Sequence, residues 1–183
     1  MNIKPYTKNK VLCVFLFLAP LSSHCNGICP CTDEYIDGSQ DASSMELQLV
    51  KKINDYRETS GLDALAPSKC LFRSAHNHAF DIQENQLSLG HTGSDGSSPK
   101  DRIAEAGYPV RCVAENLKGG WDCGYTGENC VLSGWRDSPS HNRSLLNDAF
   151  VAIGIGIHGG ITVANFGCDP PEAPPDDEEP EDP

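Results

Sequence analysis

Two histidines and one glutamate have the residue types and positions that suit a functional site. His91 lies in the glycine-flanked loop LGHTGSDGSSPKDR (Leu89–Arg102), and His141 lies in the Ser-Pro start of a predicted helix. Glu115 follows the apolar stretch YPVRCVA, where a predicted strand ends. Rigid scaffolds tend to carry their sites at such element ends, and imidazole and carboxylate groups transfer protons and bind divalent metals. Sequence spacing alone does not show that the three residues lie close together, and for Glu115 it favours a solvent-exposed residue at the end of the strand.

The remaining histidines are predicted to be structural or exposed. His76 and His78 are two residues apart on a predicted helix. Their side chains therefore point about 200° apart and cannot hold one ion together. We expect both to pack in the core or to lie on the surface. His158 lies at a predicted hairpin turn, where exposure is usual, and His24 lies in the N-terminal processing region.

The loop around His91 does not match the motifs of other common sites. A phosphate-binding loop needs Lys-Ser/Thr after its last glycine, and an EF-hand needs more acids than Asp95 and Asp101. Neither GSDG nor LSGW fits the Gly-x-Ser-x-Gly motif of serine hydrolases. The sequence also lacks the zinc-peptidase motif His-Glu-x-x-His. Ser98 followed by Pro99 predicts instead that the loop ends in a helix start.

Capping residues predict where the first two helices begin and end. The capping-box spacing of Ser43 and Glu46 predicts the start of the first helix, and Gly61 ends it as a left-handed cap. Ser68 caps the second helix, which runs to about Gln86. The predicted core stripe of the second helix consists of Leu71, Ala75, Ala79 and Ile82, and Phe72 lies beside it.

The rest of the chain predicts three short helices and a small sheet. The predicted helices are PKDRIAEAG, which Gly107 stops, VLSGWRDS and SPSHNRSLLND. The predicted extended segments are YPVRCVAENL and AFVAIGIGIHGGITVANFGC, and the second of these forms two strands about the turn HGG. LDALAPS is predicted to be a connector and GGWDCGYTGENC a loop. Large apolar residues alternate with small ones in VAIGIGI (Val151–Ile157), so one face packs while the other admits a close neighbour. These elements predict an α/β domain with helices around a central sheet.

Composition divides the chain into four parts. Residues 1–23 show the basic, apolar and small-residue order of a secretory signal peptide, with cleavage expected after Ser23. A cysteine-rich lead-in follows at 24–44, then a folded domain at 45–168. Residues 169–183 form a proline-rich acidic tail that we expect to be extended and disordered. We therefore expect the mature protein to be secreted and extracellular, or periplasmic or in the cell envelope in a bacterium.

The eight cysteines that follow the signal peptide predict disulfides, because an even set in an oxidising compartment is typical of them. We expect Cys168 to tie the end of the domain to the CNGICPC cluster, and a metal cluster at CNGICPC is the alternative. The cysteines concerned are Cys25, Cys29, Cys31, Cys70, Cys112, Cys123, Cys130 and Cys168.

Net charge and hydropathy limit the classes of molecule that we expect the protein to bind. Residues 24–169 contain 19 acids and 11 bases, and this acidic balance argues against nucleic acid or an anionic membrane as a partner. No segment after the signal peptide is long and apolar enough to predict a transmembrane helix. The expected partner is an unidentified cleft ligand or an extracellular molecule.

Five motifs together resemble the CAP superfamily of cysteine-rich secretory, antigen 5 and pathogenesis-related 1 proteins, and in particular its bacterial SCP-like branch. They cover about residues 45–168 and follow the order seen in that family. The motifs are NDYRETSGLDAL (Asn54–Leu65), HTGSDGSSPKDRIAEAGY (His91–Tyr108), AENL (Ala114–Leu117), GWRDSPSHNRSLLN (Gly134–Asn147) and VAIGIGI (Val151–Ile157).

The resemblance implies a disulfide-stabilised three-layer α-β-α sandwich with a cleft on its sheet. In the family this cleft gathers two histidines and one or two glutamates and can bind a divalent metal such as zinc. Motif by motif, the implied cleft residues are His91, Glu115 and His141. The position of the second glutamate of eukaryotic members is occupied here by Ser138. The residues that we expect to support the cleft are Asp137, Asn116 and Ser140.

The residues that the resemblance brings together leave several functions open. Two imidazoles and one carboxylate can form a zinc site with an open water position, or a metal-free hydrogen-bond network. No separate general base is evident. We therefore expect a non-catalytic binding module. A metal-dependent hydrolase of peptides or cell-wall material is the first alternative, and lipid or sterol binding, as in eukaryotic relatives, is the second.

Overall fold

A computed structural model describes residues 42–119 and 128–168 of the chain. The predicted signal peptide, most of the cysteine-rich lead-in, most of the loop GGWDCGYTGENC and the acidic segment 169–183 lie outside these residues. Within the described ranges, no helix combines the length and the apolar character needed to cross a membrane.

The described residues form the three-layer α-β-α sandwich that was predicted. Helices α2 and α3 cover one face of the sheet, and α1, α4 and α5 cover the other. The elements are α1 (Ser44–Thr59), β1 (Ala66–Pro67), α2 (Lys69–Glu84), α3 (Pro99–Glu105), β2 (Val113–Gly119), α4 (Glu128–Asp137), α5 (Pro139–Leu145), β3 (Ala152–His158) and β4 (Ile161–Gly167).

The predicted helix caps are present. The side chain of Ser43 accepts from the backbone N–H of Glu46, and Glu46 Oε2 accepts from the backbone N–H of Ser43 at 2.7 Å. Ser98 and Asp101 form the same reciprocal pair at the start of α3. Gly61 and Gly107 follow α1 and α3 with φ of 77° and 90°, a conformation that glycine adopts without strain. These caps explain why α1 and α3 begin and end where the sequence predicts. Helix α4, by contrast, begins at Glu128, so the last three residues of the predicted loop GGWDCGYTGENC are helical.

The sheet has four strands in the order β1-β3-β4-β2. Strands β2, β4 and β3 are antiparallel neighbours, while β1 runs parallel to β3. The segment that we predicted as the connector LDALAPS therefore contains a short edge strand. It pairs because Ala66 N–H donates to the carbonyl of Val151 at 2.8 Å and Ser68 N–H donates to that of Ile153 at 2.9 Å.

Helix α2 lies unusually close to the sheet because β3 presents glycines to it. A Cβ atom on Gly154 would lie 2.0 Å from the backbone nitrogen of Phe72, and one on Gly156 would lie 2.2 Å from that of His76. Ile153 and Ile155 alternate with these glycines along β3, and they are buried on the opposite face of the sheet against α1 and α4. The predicted alternation in this strand is thus confirmed, and the close neighbour that it admits is α2.

The predicted partner of Cys168 is wrong, because Cys168 is bonded to Cys112 and not to the CNGICPC cluster. The register of the sheet explains this pairing. Val113 of β2 lies opposite Gly167 of β4, so the next residues along, Cys112 and Cys168, also lie opposite each other. Their Cα atoms are 5.6 Å apart, within the range of a disulfide. Cys70 and Cys130 are also disulfide-bonded, and the other four predicted cysteines lie outside the described residues.

Replacing Gly154 by Ala tests the close packing of α2. The added methyl group meets helix backbone, which cannot rotate away, so we expect the free energy of unfolding to fall by about 1–3 kcal/mol or more. Urea denaturation of the oxidised protein measures this. Gly134→Ala in α4 is the control, because its Cβ would meet only the end of the Lys118 side chain. A Gly154→Ala variant as stable as this control would show that α2 does not pack this closely against β3.

Candidate functional site

Glu115 is the centre of the candidate site. It lies in β2 opposite Asn165 of β4, and its side chain is only 1% exposed. His91 Nδ1 lies 2.9 Å from Glu115 Oε1, so the structure brings these two predicted site residues together. Because an ionised carboxylate only accepts hydrogen bonds, Nδ1 carries the proton in this contact. The Nε2 atom of neutral His91 is then an acceptor, on a side chain that is 53% exposed.

A buried arginine neutralises this glutamate. Arg102 Nη2 donates to both oxygens of Glu115, at 3.1 and 2.9 Å. The same guanidinium group donates to the backbone carbonyl of Ser97 at 2.8 Å and to that of His91 at 3.1 Å. Arg102 therefore fastens the His91 loop to β2 as well as balancing the charge of Glu115. With its amide in the orientation that satisfies its neighbours, Asn165 also donates to Glu115 Oε2, at 3.2 Å.

His78 also lies next to Glu115. Its side chain is fully buried, with Nε2 3.0 Å from the carbonyl of Gly90 and 3.8 Å from Glu115 Oε1. Burial lowers the pKa of His78 below its ordinary value, although attraction to Glu115 opposes the shift. The packing role predicted for this histidine is confirmed. Its position under the His91 loop was not predicted, because it depends on how the loop folds over α2.

The loop between His91 and α3 is held in a tight polar turn. The N–H of Gly93 donates to the carbonyl of Ser97 at 2.9 Å, and Asp95 accepts from the N–H of Ser97 at 2.9 Å. Asp81 of α2 accepts from the backbone N–H of Ser94 at 2.8 Å. These bonds show that polar residues of the loop form its turns and attach it to α2.

His141 lies in α5, and its backbone contacts the residue that follows Glu115 in β2. Asn116 is buried and its side-chain amide donates to the backbone carbonyl of His141 at 3.0 Å, which joins α5 to β2. Burial, and then repulsion from His91 and Lys118, lower the pKa of His141. Asp137 and Ser140, which we predicted to support the site, are both exposed.

The residues present do not fit a three-ligand zinc site. Within residues 42–119 and 128–168, no three His, Cys, Asp or Glu side chains lie close enough to hold one metal ion. Zinc coordination by Glu115 would have to displace the guanidinium group of Arg102, which already binds both carboxylate oxygens. The arrangement is instead a hydrogen-bond network in which His91, Arg102 and Asn165 all bind the carboxylate of Glu115.

His91 and Glu115 line a cavity with a volume of about 510 Å³. The rest of its wall combines apolar side chains with two cations and includes Pro99, Lys100, Val110, Arg111, Cys112 and Val113. The exposed face of His91 is therefore one of several polar groups on the wall of a cavity that is large enough for a small ligand.

The chain matches the family model of the CAP proteins, described as the cysteine-rich secretory protein family, over residues 50–168. The chain belongs to the CAP family. It is 26% identical over 124 residues to the uncharacterized membrane protein YlbC of Bacillus subtilis, a match that covers 68% of this chain and 34% of YlbC. The chain spans less than half the length of the curated relatives that it matches.

Solved structures of bacterial proteins share the fold. An extracellular protein containing an SCP domain from Bacillus anthracis superposes with a TM-score of 0.63 at 22% identity, covering 68% of this chain and 40% of that one. An outer surface protein of Borrelia burgdorferi superposes with a TM-score of 0.61 at 26% identity, covering 71% of this chain and 96% of that one. The CAP domain described here is therefore of the bacterial type.

Removing the arginine tests whether the Arg102–Glu115 pair organises the site. In Arg102→Met the buried carboxylate of Glu115 loses its counter-charge, and we expect the free energy of unfolding to fall by about 3–5 kcal/mol. Lys51→Met is the control, because the Lys51–Asp55 pair is exposed and is worth at most about 1 kcal/mol. Equal losses in the two variants, measured by urea denaturation, would be evidence against a buried ion pair.

The lowered pKa of His78 predicts a loss of stability in mild acid. The unfolded chain, in which the pKa of this histidine is higher, takes up the proton first as pH falls. Stability is therefore lost as pH falls through the unfolded value of about 6.5 towards the folded value. We expect His78→Gln, which keeps a donor for Gly90, to flatten the fall in unfolding free energy between about pH 7 and 5. His158→Gln, at a half-exposed position, is the control. An unchanged slope in His78→Gln would refute the assignment.

Proposed function

We propose that this CAP domain is a non-catalytic binding module that takes up a small ligand or an extracellular partner in the cavity beside His91. The proposal depends mainly on Glu115, whose buried carboxylate is bound by both Arg102 and His91. The cavity combines one exposed imidazole, two cations and apolar walls. This combination suits recognition by hydrogen bonds, charge and apolar contact.

Glu115 is poorly placed to act as the general base of a hydrolase. A general base needs a free lone pair that reaches the reacting proton. Both oxygens of Glu115 already accept hydrogen bonds within the protein. His91 Nε2 is the accessible basic atom of the pair, and its pairing through Nδ1 with Glu115 fixes the direction of the ring. This ring can accept a hydrogen bond from a ligand or, when protonated, bind an anion.

We also propose that the protein acts outside the cytoplasm. The predicted signal peptide at 1–23 and the disulfide between Cys112 and Cys168 support this location. Two proteins of similar fold are described as extracellular and as an outer surface protein. An external location favours partners such as peptides, glycans or lipids of the cell surface.

Calorimetric titration with zinc tests whether the proposed binding site works without a metal ion. Because Arg102 holds the carboxylate, we expect the oxidised protein, His91→Ala and His141→Ala to give the same heat, without a stoichiometric site. Stoichiometric zinc binding in the wild type that both variants lose would contradict the proposal and favour the hydrolase.

An NMR screen tests the binding function itself. Panels of peptides, glycans and fatty acids are added to the oxidised protein while the ring signals of His91 are followed, and we expect at least one class to shift them saturably. The same panels are examined for hydrolysis with and without a chelator. Turnover that depends on His91 or stops with the chelator would overturn the non-catalytic assignment, and panels that leave the ring signals unmoved would count against a ligand site.

A further inference from the structure

Strand β2 lies at the edge of the sheet and pairs with β4 on one side only. The N–H of Cys168 donates to the carbonyl of Cys112 at 3.2 Å, so these residues form a hydrogen-bonded pair just beyond the ladder between β2 and β4. Hydrogen-bonded pairs alternate with non-bonded pairs along antiparallel strands. The backbone N–H and carbonyl groups of Val113 and Glu115 therefore point away from β4, towards the free edge.

Helix α4 covers one end of this free edge and leaves the other end open. The indole N–H of Trp135 donates to the carbonyl of Leu117 at 3.0 Å, which agrees with the alternation along β2. Within residues 42–119 and 128–168, beyond the ladder with β4, no hydrogen bond links the backbone of Val113 or Glu115 to another segment. Both residues line the cavity of about 510 Å³ beside His91. The unpaired part of the edge therefore faces a space that a ligand can enter.

The charges around this cavity favour a negatively charged ligand. Lys100 and Arg111 both line it and are exposed, and neither is in an ion pair in the part of the chain that the structure describes. Asp101, which follows Lys100, is engaged in the cap of α3. The one acid of the lining, Glu115, is neutralised by Arg102. A ligand on the edge of β2 therefore meets two unpaired cations.

We propose that the edge of β2 at residues 113–115 binds an acidic peptide in extended conformation, which adds a strand to the sheet. The N–H and carbonyl groups of Val113 and Glu115 pair with the backbone of the peptide, and its acids pair with Lys100 and Arg111. The proposal rests on the proposed function, because it names the ligand class of the same cavity.

Backbone pairing and charge together select this ligand. The unpaired N–H and carbonyl groups of an edge strand are a template for another extended chain. A second copy of the same edge would bring its own Lys100 and Arg111 against the first pair, and like charges oppose that contact. Successive side chains of a strand point to opposite faces. Acids at every second position of the peptide therefore all lie on one face of the sheet, and α3 carries Lys100 on the face where Glu115 lies.

NMR titration of the whole oxidised mature chain at low salt tests the pairing. The probe is a capped peptide of alternating Glu and Val, about six residues long, which is a usual length for a strand. We expect the amide proton signals of Val113 and Glu115 to move downfield saturably and to lose most of their temperature dependence, because each gains a hydrogen bond. The amides of Ala114 and Asn116 face β4 and should keep theirs. New hydrogen bonds at neither Val113 nor Glu115 would overturn the proposal.

Methylation of the peptide backbone separates strand pairing from attraction between charges. Two peptides of the same sequence are compared, one N-methylated at each Glu and the other at each Val. Successive residues of a strand direct their N–H groups to opposite edges. Only the peptide whose blocked edge faces β2 should therefore lose the shifts at Val113 and Glu115. Binding of both peptides as tightly as the unmodified one would refute the added strand.

Charge reversal on the cavity wall provides a matched control for the acids. Lys100→Glu with Arg111→Glu replaces two attractions by repulsions, and we expect it to weaken binding of the Glu–Val peptide about tenfold or more. Lys51→Glu with Arg143→Glu makes the same change in net charge at exposed positions of α1 and α5 and should preserve the affinity. Equal losses in both double variants would refute the proposal, since binding would then follow net charge alone.

The peptide proposal and the binding module can fail separately. If a glycan or a fatty acid shifts the ring signals of His91 saturably while the Glu–Val peptide leaves the amides of Val113 and Glu115 unmoved, the added strand is wrong and the module stands. If the peptide and all the panels leave both the His91 ring and these two amides unmoved, the proposed function is wrong as well.

Discussion

The contact between Arg102 and Glu115 is the interaction on which the site depends. A carboxylate that is 1% exposed on β2 is tolerated only with a counter-charge and hydrogen bonds, and one guanidinium group supplies both. The same group binds the backbone at His91 and Ser97, so the cost of burying Glu115 is offset by contacts that also shape the loop. His91 is held at the cavity as a consequence. Its Nδ1 atom contacts Glu115, and the rest of the ring is partly exposed to solvent.

The fold makes this contact possible through the close approach of α2 to the sheet. Glycines at 154 and 156 let the α2 backbone lie against β3, which places His78 beneath Gly90 and beside Glu115. The cap at Ser98 starts α3 so that Arg102 lies one turn into the helix, facing β2. On the opposite face, buried Trp135 donates to the carbonyl of Leu117 at 3.0 Å and holds α4 on β2.

Local sequence rules predicted the elements well, and they failed where contacts between distant segments decide the outcome. Caps at Ser43, Ser68 and Ser98 and the alternation in β3 are local signals, and the structure contains all of them. The motif resemblance placed His91 beside Glu115, as observed. Arg102 was missed because a basic residue near a helix start usually faces solvent, and only its burial reveals its role. The Cys112–Cys168 bond follows from strand register, which cysteine spacing does not contain.

The buried carboxylate of Glu115 in this CAP domain is held by Arg102 and His91. A crystal structure of the oxidised protein grown with excess zinc tests this claim most directly. We expect Arg102 within hydrogen-bond distance of both Glu115 oxygens, His91 Nδ1 on the same carboxylate, and no zinc bound to Glu115. A zinc ion bound jointly by His91, Glu115 and His141, with Arg102 displaced, would contradict it.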